Sequence, residues 1–481
     1  MVRGLKKARL VVAAAALTTV MVACGDDDDD GGAAETTAGA AETTAAEAAE
    51  TTEAAAETSA APDTTAAESD TTEAETDATG GDGEVEQTIK VGFAWADVSA
   101  FEEVNPAFST GDPEEQILAV SDALHAAGVL PVNGVDVEFV LGGHSAIEAD
   151  AQLAVCQQFG QDEQVFAVLA GRDFPNGAEC VASRFNTPVI SVNQAPEALY
   201  AQAGPNFFTV KPDETTILTA FGNWAVENGY LDGKTVGIYW ETPAQAAVDA
   251  LKQILTDAGV NIASEVQSGG EGVGAEQDAL AAQRFQADGV DMVIPIVGSS
   301  SIINFTGAAA EQGYNPGYID TDWASHLSDV ATAAYAPGQY TDVPALASVR
   351  AGDLSVGVSP EAEDCLANYE EFSGKTIART APEQSGEYTN VLITCDLANL
   401  MIEALTIATT FGDADATERS DVTQEQFQAA IEQITDFHGA YWETVSYSPD
   451  DHSGAKTGRQ VRWNPDCPCW EPDGEWAPLP L

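Results

Sequence analysis

The sequence has few positively charged side chains for its length. Its 481 residues include 18 Lys and Arg against 78 Asp and Glu, which gives a formal net charge of −60 at pH 7. A field of this sign repels phosphate groups, so the composition argues against binding of nucleic acid and against adsorption to anionic lipid. The acidic surplus does not predict a metal site by itself, because most such carboxylates belong to a solvated surface.

Motifs for catalysis and for nucleotide binding are also lacking. The sequence contains no Gly-x-Ser-x-Gly, no phosphate-binding Gly-x-x-x-x-Gly-Lys-Ser/Thr and no His-Glu-x-x-His. The histidines neither cluster nor have metal-ligand spacing; they are His125, His144, His326, His438 and His452. We therefore predict no enzymatic activity, no cofactor and no metal. An envelope hydrolase that uses His326 is kept as an alternative.

The chain begins with the pattern of an export signal. Four basic side chains within residues 3–9 precede an apolar run, residues 10–22, whose length is typical of a secretion signal. Met21-Val22-Ala23-Cys24 resembles the lipobox of bacterial lipoproteins, in which the cysteine thiol receives a diacylglycerol. We predict that residues 1–24 are a lipoprotein signal peptide and that lipidated Cys24 anchors the chain to the extracytoplasmic face of the cell membrane. A plain secretory signal with an incidental cysteine is the alternative.

Residues 25–86 have no basic and almost no large apolar side chains. The segment repeats Ala, Glu and Thr, so it buries too little surface to offset its ordering entropy, and its like charges repel each other. We predict a disordered acidic tether between the anchor and the body. A local alanine-rich helix over residues 47–57 is the alternative.

Six cysteines follow Cys24, an even number in a chain that is predicted to be exported. The predicted disulfides join two pairs of them, Cys156 with Cys180 and Cys365 with Cys395. Cys467 and Cys469 are left open: they bond to each other, pair elsewhere or remain thiols.

From Gln87 onward, apolar runs bounded by turn residues alternate with segments of helical periodicity. The pattern predicts strands over residues 88–94, 135–141 and 165–170 and helices over residues 114–127 and 148–159. This repeated order predicts an α/β fold whose parallel sheets carry helices on both faces, and the length predicts two lobes. Ligands of such sheets bind at the carboxyl ends of strands, so residues that follow strands are the candidates for a site.

The order of several segments resembles that of a known family. The first strand Ile89-Lys-Val-Gly, then Thr187-Pro-Val-Ile-Ser, Phe207-Phe-Thr-Val-Lys-Pro-Asp and Gly233-Lys-Thr-Val-Gly-Ile-Tyr-Trp carry the likeness. They are similar to type I periplasmic solute-binding proteins of ABC transporters, above all to the branched-chain amino acid-binding, leucine-binding protein-like subgroup in its lipoprotein form. The resemblance extends over about residues 87–470.

The resemblance implies a two-lobed fold with three interlobe crossings and a ligand held in the cleft by hinge closure. Lobe 1 would comprise residues 87–211 and 346–438, and lobe 2 residues 212–345 and 439–481 with the C-terminal tail. The implied function is a solute-binding receptor of an ABC importer for a small amino acid or a related carboxylate or amide. Its expected partner is the ABC permease, and a monomer is expected. A sensory receptor of the same fold, coupled to signalling, is the alternative.

The family holds a ligand's carboxylate on the first lobe and its ammonium on an acidic side chain of the second. The positions that match the family's contacts are Asn193 and Gln194 in lobe 1 and Asp322 in lobe 2. Further candidates follow strands: Trp95, Asp97, Arg172 and Asp173 in lobe 1, and Trp240, Glu241 and Ser299 in lobe 2. Trp95 and Asp97 can equally be packing residues, and Glu241 stands where the subgroup has an Asp. Arg172 stands where the subgroup has a serine-rich loop, and it can clamp a carboxylate or form a surface ion pair. Trp240 can stack on a ligand or pack in the core, and Ser299 can cap a helix.

Overall fold

The computed structural model describes residues 85–102, 109–146, 148–268, 275–379, 386–411 and 421–481. These residues all belong to one compact unit, residues 76–481. The predicted signal peptide, its lipidation site Cys24 and residues 25–84 of the predicted tether lie outside the described residues.

The strands confirm the alternating pattern of the sequence. In chain order they are Gln87–Asp97 (β1), Val135–Ser145 (β2), Ala167–Ala170 (β3), Val189–Ser191 (β4), Phe207–Thr209 (β5), Thr235–Glu241 (β6), Asn261–Ser268 (β7), Met292–Ile296 (β8), Gly317–Tyr318 (β9), Asp320–Thr321 (β10), Pro344–Ala347 (β11), Thr457–Asn464 (β12), Cys469–Pro472 (β13) and Ala477–Pro478 (β14).

The helices pack on both faces of the sheets. They are Ser99–Glu102 (α1), Pro113–Ala126 (α2), Ala149–Gln157 (α3), Pro175–Phe185 (α4), Glu197–Ala203 (α5), Glu214–Glu227 (α6), Gln245–Asp257 (α7), Ala275–Ala287 (α8), Ser299–Glu311 (α9), Asp329–Ala333 (α10), Asp353–Val356 (α11), Pro360–Ser373 (α12), Gly386–Ala408 (α13) and Gln424–Ile431 (α14).

The first sheet is fully parallel and has the order β2-β1-β3-β4-β5. Its short strands β3 to β5 are buried along their whole length, as expected for strands that are covered on both faces. The helix α2 begins where the sequence favours it, because the Asp112 side chain accepts a hydrogen bond from the amide of Glu115 at 3.1 Å and Pro113 occupies the first turn.

Two further sheets share the extended segment of residues 317–321 and are together called the second sheet. Strands β7-β6-β8-β9 are parallel, and β10 continues the same extended segment, residues 317–321, into the ladder β10-β11-β12-β13. The last strands are antiparallel: β12 runs antiparallel to β11 and turns directly into β13. A tight hairpin can join only antiparallel strands.

The chain passes between the two sheets three times, as predicted. It leaves the first sheet after β5, returns after β11 to place α12 and α13 against α2, and enters the second sheet again before β12. The residue bounds of the two lobes remain a prediction. Apolar clusters pack against the sheets, and the largest of them contains residues of both the first and the second sheet.

The cysteine sulfur atoms come within bonding distance in the two pairs that the sequence predicts. Cys156 and Cys180 join α3 to α4, and Cys365 and Cys395 join α12 to α13, each pair with Cα atoms 6.1 Å apart. The pair that the sequence left open, Cys467 and Cys469, is also within bonding distance.

One described helix, α13, is long and apolar enough to cross a membrane. It has 23 residues and a mean hydropathy of 1.7, and most of it is buried inside the fold. Burial of this kind is typical of the core helix of a globular domain.

Candidate functional site

The loops that follow β3 and β4 of the first sheet meet beside β1. The amide of Gly171, just after β3, donates to the carbonyl of Ala94 in β1 at 2.9 Å. A Cβ atom on Gly171 would lie 2.7 Å from that carbonyl oxygen, so only glycine permits the approach. Asn193, which follows β4, donates through Nδ2 to the Gly171 carbonyl at 3.0 Å and accepts from the amide of Asp173 at 2.9 Å. These bonds fix Arg172 at the carboxyl ends of the strands.

Lys211 lies at the first crossing and faces the loop that follows β10. Its Nζ donates to the carbonyl of Asp322 at 3.3 Å. The Asp322 carboxylate is buried, and it accepts from the amide of Ser348 at 3.2 Å and from the Ser348 hydroxyl. Because Ser348 belongs to the second crossing, both crossings and the Asp322 loop converge here.

Arg172 and Lys211, the cation pair, are both half-buried. Within the described part of the chain, neither forms an ion pair or hydrogen bond with a carboxylate. Burial lowers the pKa of Lys211, and the charge of Arg172 lowers it further, while Asp322 and Asp173 oppose the shift. Burial also raises the pKa of the Tyr441 phenol, from the third crossing, to about 12 against the opposing charge of Arg172. Two positive charges therefore share a space that is partly withdrawn from water.

Glu214 and Glu241, the carboxyl pair, lie on the side of the second sheet. Glu241 ends β6 and accepts from Trp323 Nε1 at 3.3 Å and from the amide of Gly298 at 3.2 Å. Burial raises the pKa of Glu241. Glu214 begins α6 with 7% of its surface exposed, and burial, assisted by the charges of Glu241 and Asp213, raises its pKa to about 8. Glu214 is therefore mostly protonated at neutral pH.

The loop after β10 adopts a conformation that non-glycine residues rarely take. Ala324 and Ser325 have φ angles of 43° and 65°, and such left-handed residues cluster at binding sites in many proteins. Ser299, at the start of α9, holds the loop by donating to the Ala324 carbonyl at 2.8 Å. The loop thereby carries the Trp323 indole to Glu241.

His326 is buried behind this loop and supports it. Its Nδ1 lies 3.0 Å from Asp320 Oδ1, and its Nε2 lies 2.8 Å from the carbonyl of Val297. The Tyr340 hydroxyl donates to the second oxygen of Asp320 at 2.8 Å. Because both ring nitrogens are occupied and the ring is fully buried, His326 does not have the exposed nitrogen that a hydrolase base requires.

Three further predicted residues belong to the region of the first sheet: Trp95 and Asp97 lie in the last part of β1, which extends to Asp97, and Gln194 lies in the loop after β4. Trp95 is half-buried, and within the described residues its buried Nε1 has no hydrogen-bond partner. Asp97 is exposed, and its carboxylate accepts from the amide of Ser99 at 2.9 Å. Gln194 donates to the carbonyl of Pro212 at 3.4 Å. Contact of these side chains with a ligand remains a prediction.

Trp240 is 6% exposed and packs in the apolar cluster between the second sheet and its helices, which is the packing role that the sequence left open. The sequence patterns do not single out Lys211, Glu214 or Tyr441 as ligand contacts. Lys211 and Glu214 follow β5 closely, so the rule that selected Arg172 could have found them. Tyr441 follows no strand, and the sequence contains no signal for it.

The comparisons with known proteins agree with this architecture. The profile of the family described as "Periplasmic binding protein" matches residues 88–468. The chain belongs to this family, and the resemblance to type I solute-binding proteins is confirmed. Among curated protein sequences, the comparison finds no match.

Solved structures of ABC transporter solute-binding proteins share the fold at low sequence identity. A Rhodopseudomonas palustris BisB5 protein in complex with 3,4-dihydroxybenzoic acid has 16% identity and a TM-score of 0.61, covering 82% of this chain and 98% of that chain. A Thermus thermophilus branched-chain amino acid transporter protein with bound valine has 14% identity and a TM-score of 0.60, covering 82% and 97%. A leucine-binding protein of Thermotoga maritima has 14% identity and a TM-score of 0.57, covering 81% and 97%.

Proposed function

We propose that the protein is the solute-binding receptor of an ABC importer, anchored by a lipid on Cys24 at the extracytoplasmic face of the membrane. The solute is a small amino acid or a related carboxylate or amide, bound where the loops of the two sheets converge. The observation that carries the proposal is the cation pair: Arg172 and Lys211 lie at the carboxyl ends of strands, half-buried, without a carboxylate partner among the described residues.

Most half-buried cations of the described residues have a carboxylate partner, which Arg172 and Lys211 lack; Lys234, just before β6, is a third half-buried cation without one. Arg350, Arg379 and Arg459 are each paired with at least one carboxylate. A half-buried cation that lacks such a partner loses part of its hydration without compensation. A bound anion compensates for that loss through charge-assisted hydrogen bonds. The guanidinium of Arg172 can hold a carboxylate through two parallel hydrogen bonds, and the ammonium of Lys211 can add a third.

The carboxyl pair offers the complementary end of such a solute. Glu241 can accept from an ammonium or amide group, and Glu214 can donate while it is protonated or accept once it is ionised. Dihydroxybenzoate and valine, the ligands named for two structural relatives, both carry a carboxylate. That shared group supports the assignment of the cation pair to the anionic end of the solute.

A thermal-shift screen of the full chain tests the proposal. The panel contains amino acids, hydroxybenzoates and other small acids, each beside its primary amide. We expect at least one compound to raise the melting temperature, and an acid to do so more than its amide. A panel that contains no stabilising compound would argue against a solute receptor. Equal shifts by acids and amides would argue against the cation pair as the anchor.

A further inference from the structure

The turn between β12 and β13 contains a cysteine pair of a different kind from the other two. Cys467 and Cys469 are separated by one residue, with Cα atoms 5.2 Å apart. The other pairs span 24 and 30 residues and join separate helices. Cross-links over long loops restrict the unfolded chain far more than a cross-link over one residue. The Cys467–Cys469 bond therefore contributes little to holding the fold together.

The pair also differs in its access to solvent. The four cysteines that join helices, Cys156, Cys180, Cys365 and Cys395, are each at most 5% exposed. Cys469 is buried, but Cys467 is half-buried in the turn. Because thiol–disulfide exchange requires a thiolate to reach a sulfur atom along the bond axis, Cys467 is the most accessible point of attack among these cysteines.

The turn is held by contacts that do not depend on the bond. Asn464 of β12 pairs with Cys469 of β13. The next residue, Trp470, donates from its amide to Asp329 at 2.8 Å and from its indole to Thr332 at 3.0 Å. The two sulfur atoms must therefore remain neighbours after reduction.

Glu471 adds a third metal-ligating group at the same place. One ligand atom from each of Cys467, Cys469 and Glu471 lies within 4.8 Å of the others. Two thiolates and a carboxylate can supply three of the four ligands that Zn²⁺ prefers. A water molecule can occupy the fourth, exchangeable position. The disulfide excludes this use, because bonded sulfur atoms do not ligate as thiolates.

We propose that Cys467, Cys469 and Glu471 form a redox-gated site for a thiophilic divalent cation such as Zn²⁺. A thiolate of a dithiol reductant attacks Cys467 Sγ and Cys469 leaves as a thiolate. The second thiol of the reductant then resolves the mixed disulfide. Two electrons pass to the cysteines and the reductant becomes a cyclic disulfide. Zn²⁺ then displaces the two thiol protons and binds both sulfur atoms and the Glu471 carboxylate.

The first part of the test is a titration of the folded full chain with a dithiol, followed by alkylation and mass mapping of the cysteines. We expect Cys467 and Cys469 to be alkylated at reductant concentrations that leave the four helix cysteines protected. Reduction of the helix pairs at the same or lower concentration would overturn the proposal.

The second part measures Zn²⁺ binding to the selectively reduced chain by competition with a chromophoric chelator. We expect the selectively reduced wild-type chain to bind one Zn²⁺. The double variant Cys467→Ser/Cys469→Ser should lack this site, and Glu471→Gln should bind Zn²⁺ at least about tenfold more weakly. Glu197→Gln, at an exposed glutamate of α5, is the matched control and should bind as wild type. Equal Zn²⁺ affinity of the reduced wild type and the double serine variant would overturn the proposal, and neither part depends on solute binding.

Discussion

At the scale of single residues, the proposed binding of a carboxylate solute depends most on Arg172. Truncation of one partner of a buried charge pair typically costs about 2 to 5 kcal/mol, because the other charge is left unpaired. We therefore expect Arg172→Ala to weaken binding of a carboxylate solute by at least about 30-fold in isothermal titration. Arg184→Ala is the matched control, since Arg184 is exposed on α4 and lies away from the loops that follow the strands. An equal loss of solute affinity in both variants would show that Arg172 does not contact the solute.

Glu214 gives a prediction for the dependence of stability on pH. Its pKa in the folded protein is about 8, above the ordinary value of 4.5, so between these values the native state holds a proton that the unfolded chain has released. The stability associated with this proton is fully present below pH 4.5 and is lost as the pH rises towards 8, by at most about 1.4 kcal/mol per pH unit.

The variant Glu214→Gln has no such proton to lose. In urea unfolding without solute, the stability of the variant relative to wild type should therefore increase from pH 5 to pH 8. The control Glu197→Gln, in which the side chain is exposed, should show a constant difference. A constant difference for Glu214→Gln as well would contradict the burial of this carboxyl group.

Part of the candidate site could be selected from the sequence, for identifiable reasons. Arg172 could be predicted because it directly follows a strand that is recognisable by its apolar run. The partners of Asn193 and Asp322 could not be predicted, because their hydrogen bonds to Gly171 and Ser348 join loops that are distant in the sequence.

At the scale of elements, α13 fixes the third crossing through one carboxylate. Asp396 is buried and accepts from the amides of Ala440, Tyr441 and Trp442 at 2.5, 2.9 and 3.2 Å. A Cβ on Gly439 would lie 2.5 Å from Asp396 Oδ2, so the chain approaches the carboxylate closely. This contact holds the Tyr441 phenol near the cation pair.

Asp396→Ala should therefore lower the free energy of unfolding by about 2 to 5 kcal/mol, because it leaves three buried amides without an acceptor. Urea unfolding measures the loss. Asp396→Asn keeps one acceptor oxygen and should lose less, while Asp364→Ala, on the exposed face of α12, should change stability by at most about 0.5 kcal/mol. A loss of that small size in Asp396→Ala would show that the crossing is held by other contacts.

The antiparallel end of the second sheet is a part of the fold that the sequence pattern does not predict. Strands β1 to β3 could be predicted from their apolar runs and the turn residues around them. Strands β12 and β13 follow a long return through α12 to α14, and the pairing of β12 with β11 is set by packing between distant segments rather than by local pattern.

At the scale of the whole molecule, the three crossings act as the hinge in our account. A solute that contacts the cation pair on one side and the carboxyl pair on the other binds the closed arrangement more tightly, and so shifts the population towards it. Small-angle scattering of the full chain should show a smaller radius of gyration when a stabilising solute is added. An unchanged radius with saturating solute would mean that binding occurs without closure.

The most direct test of the central claim is a crystal structure of the protein with the solute that gives the largest thermal shift. The account predicts density for the solute between the loops of the two sheets, with its carboxylate within hydrogen-bond distance of Arg172 and Lys211. Density for the solute elsewhere, or a carboxylate that avoids both cations, would contradict it.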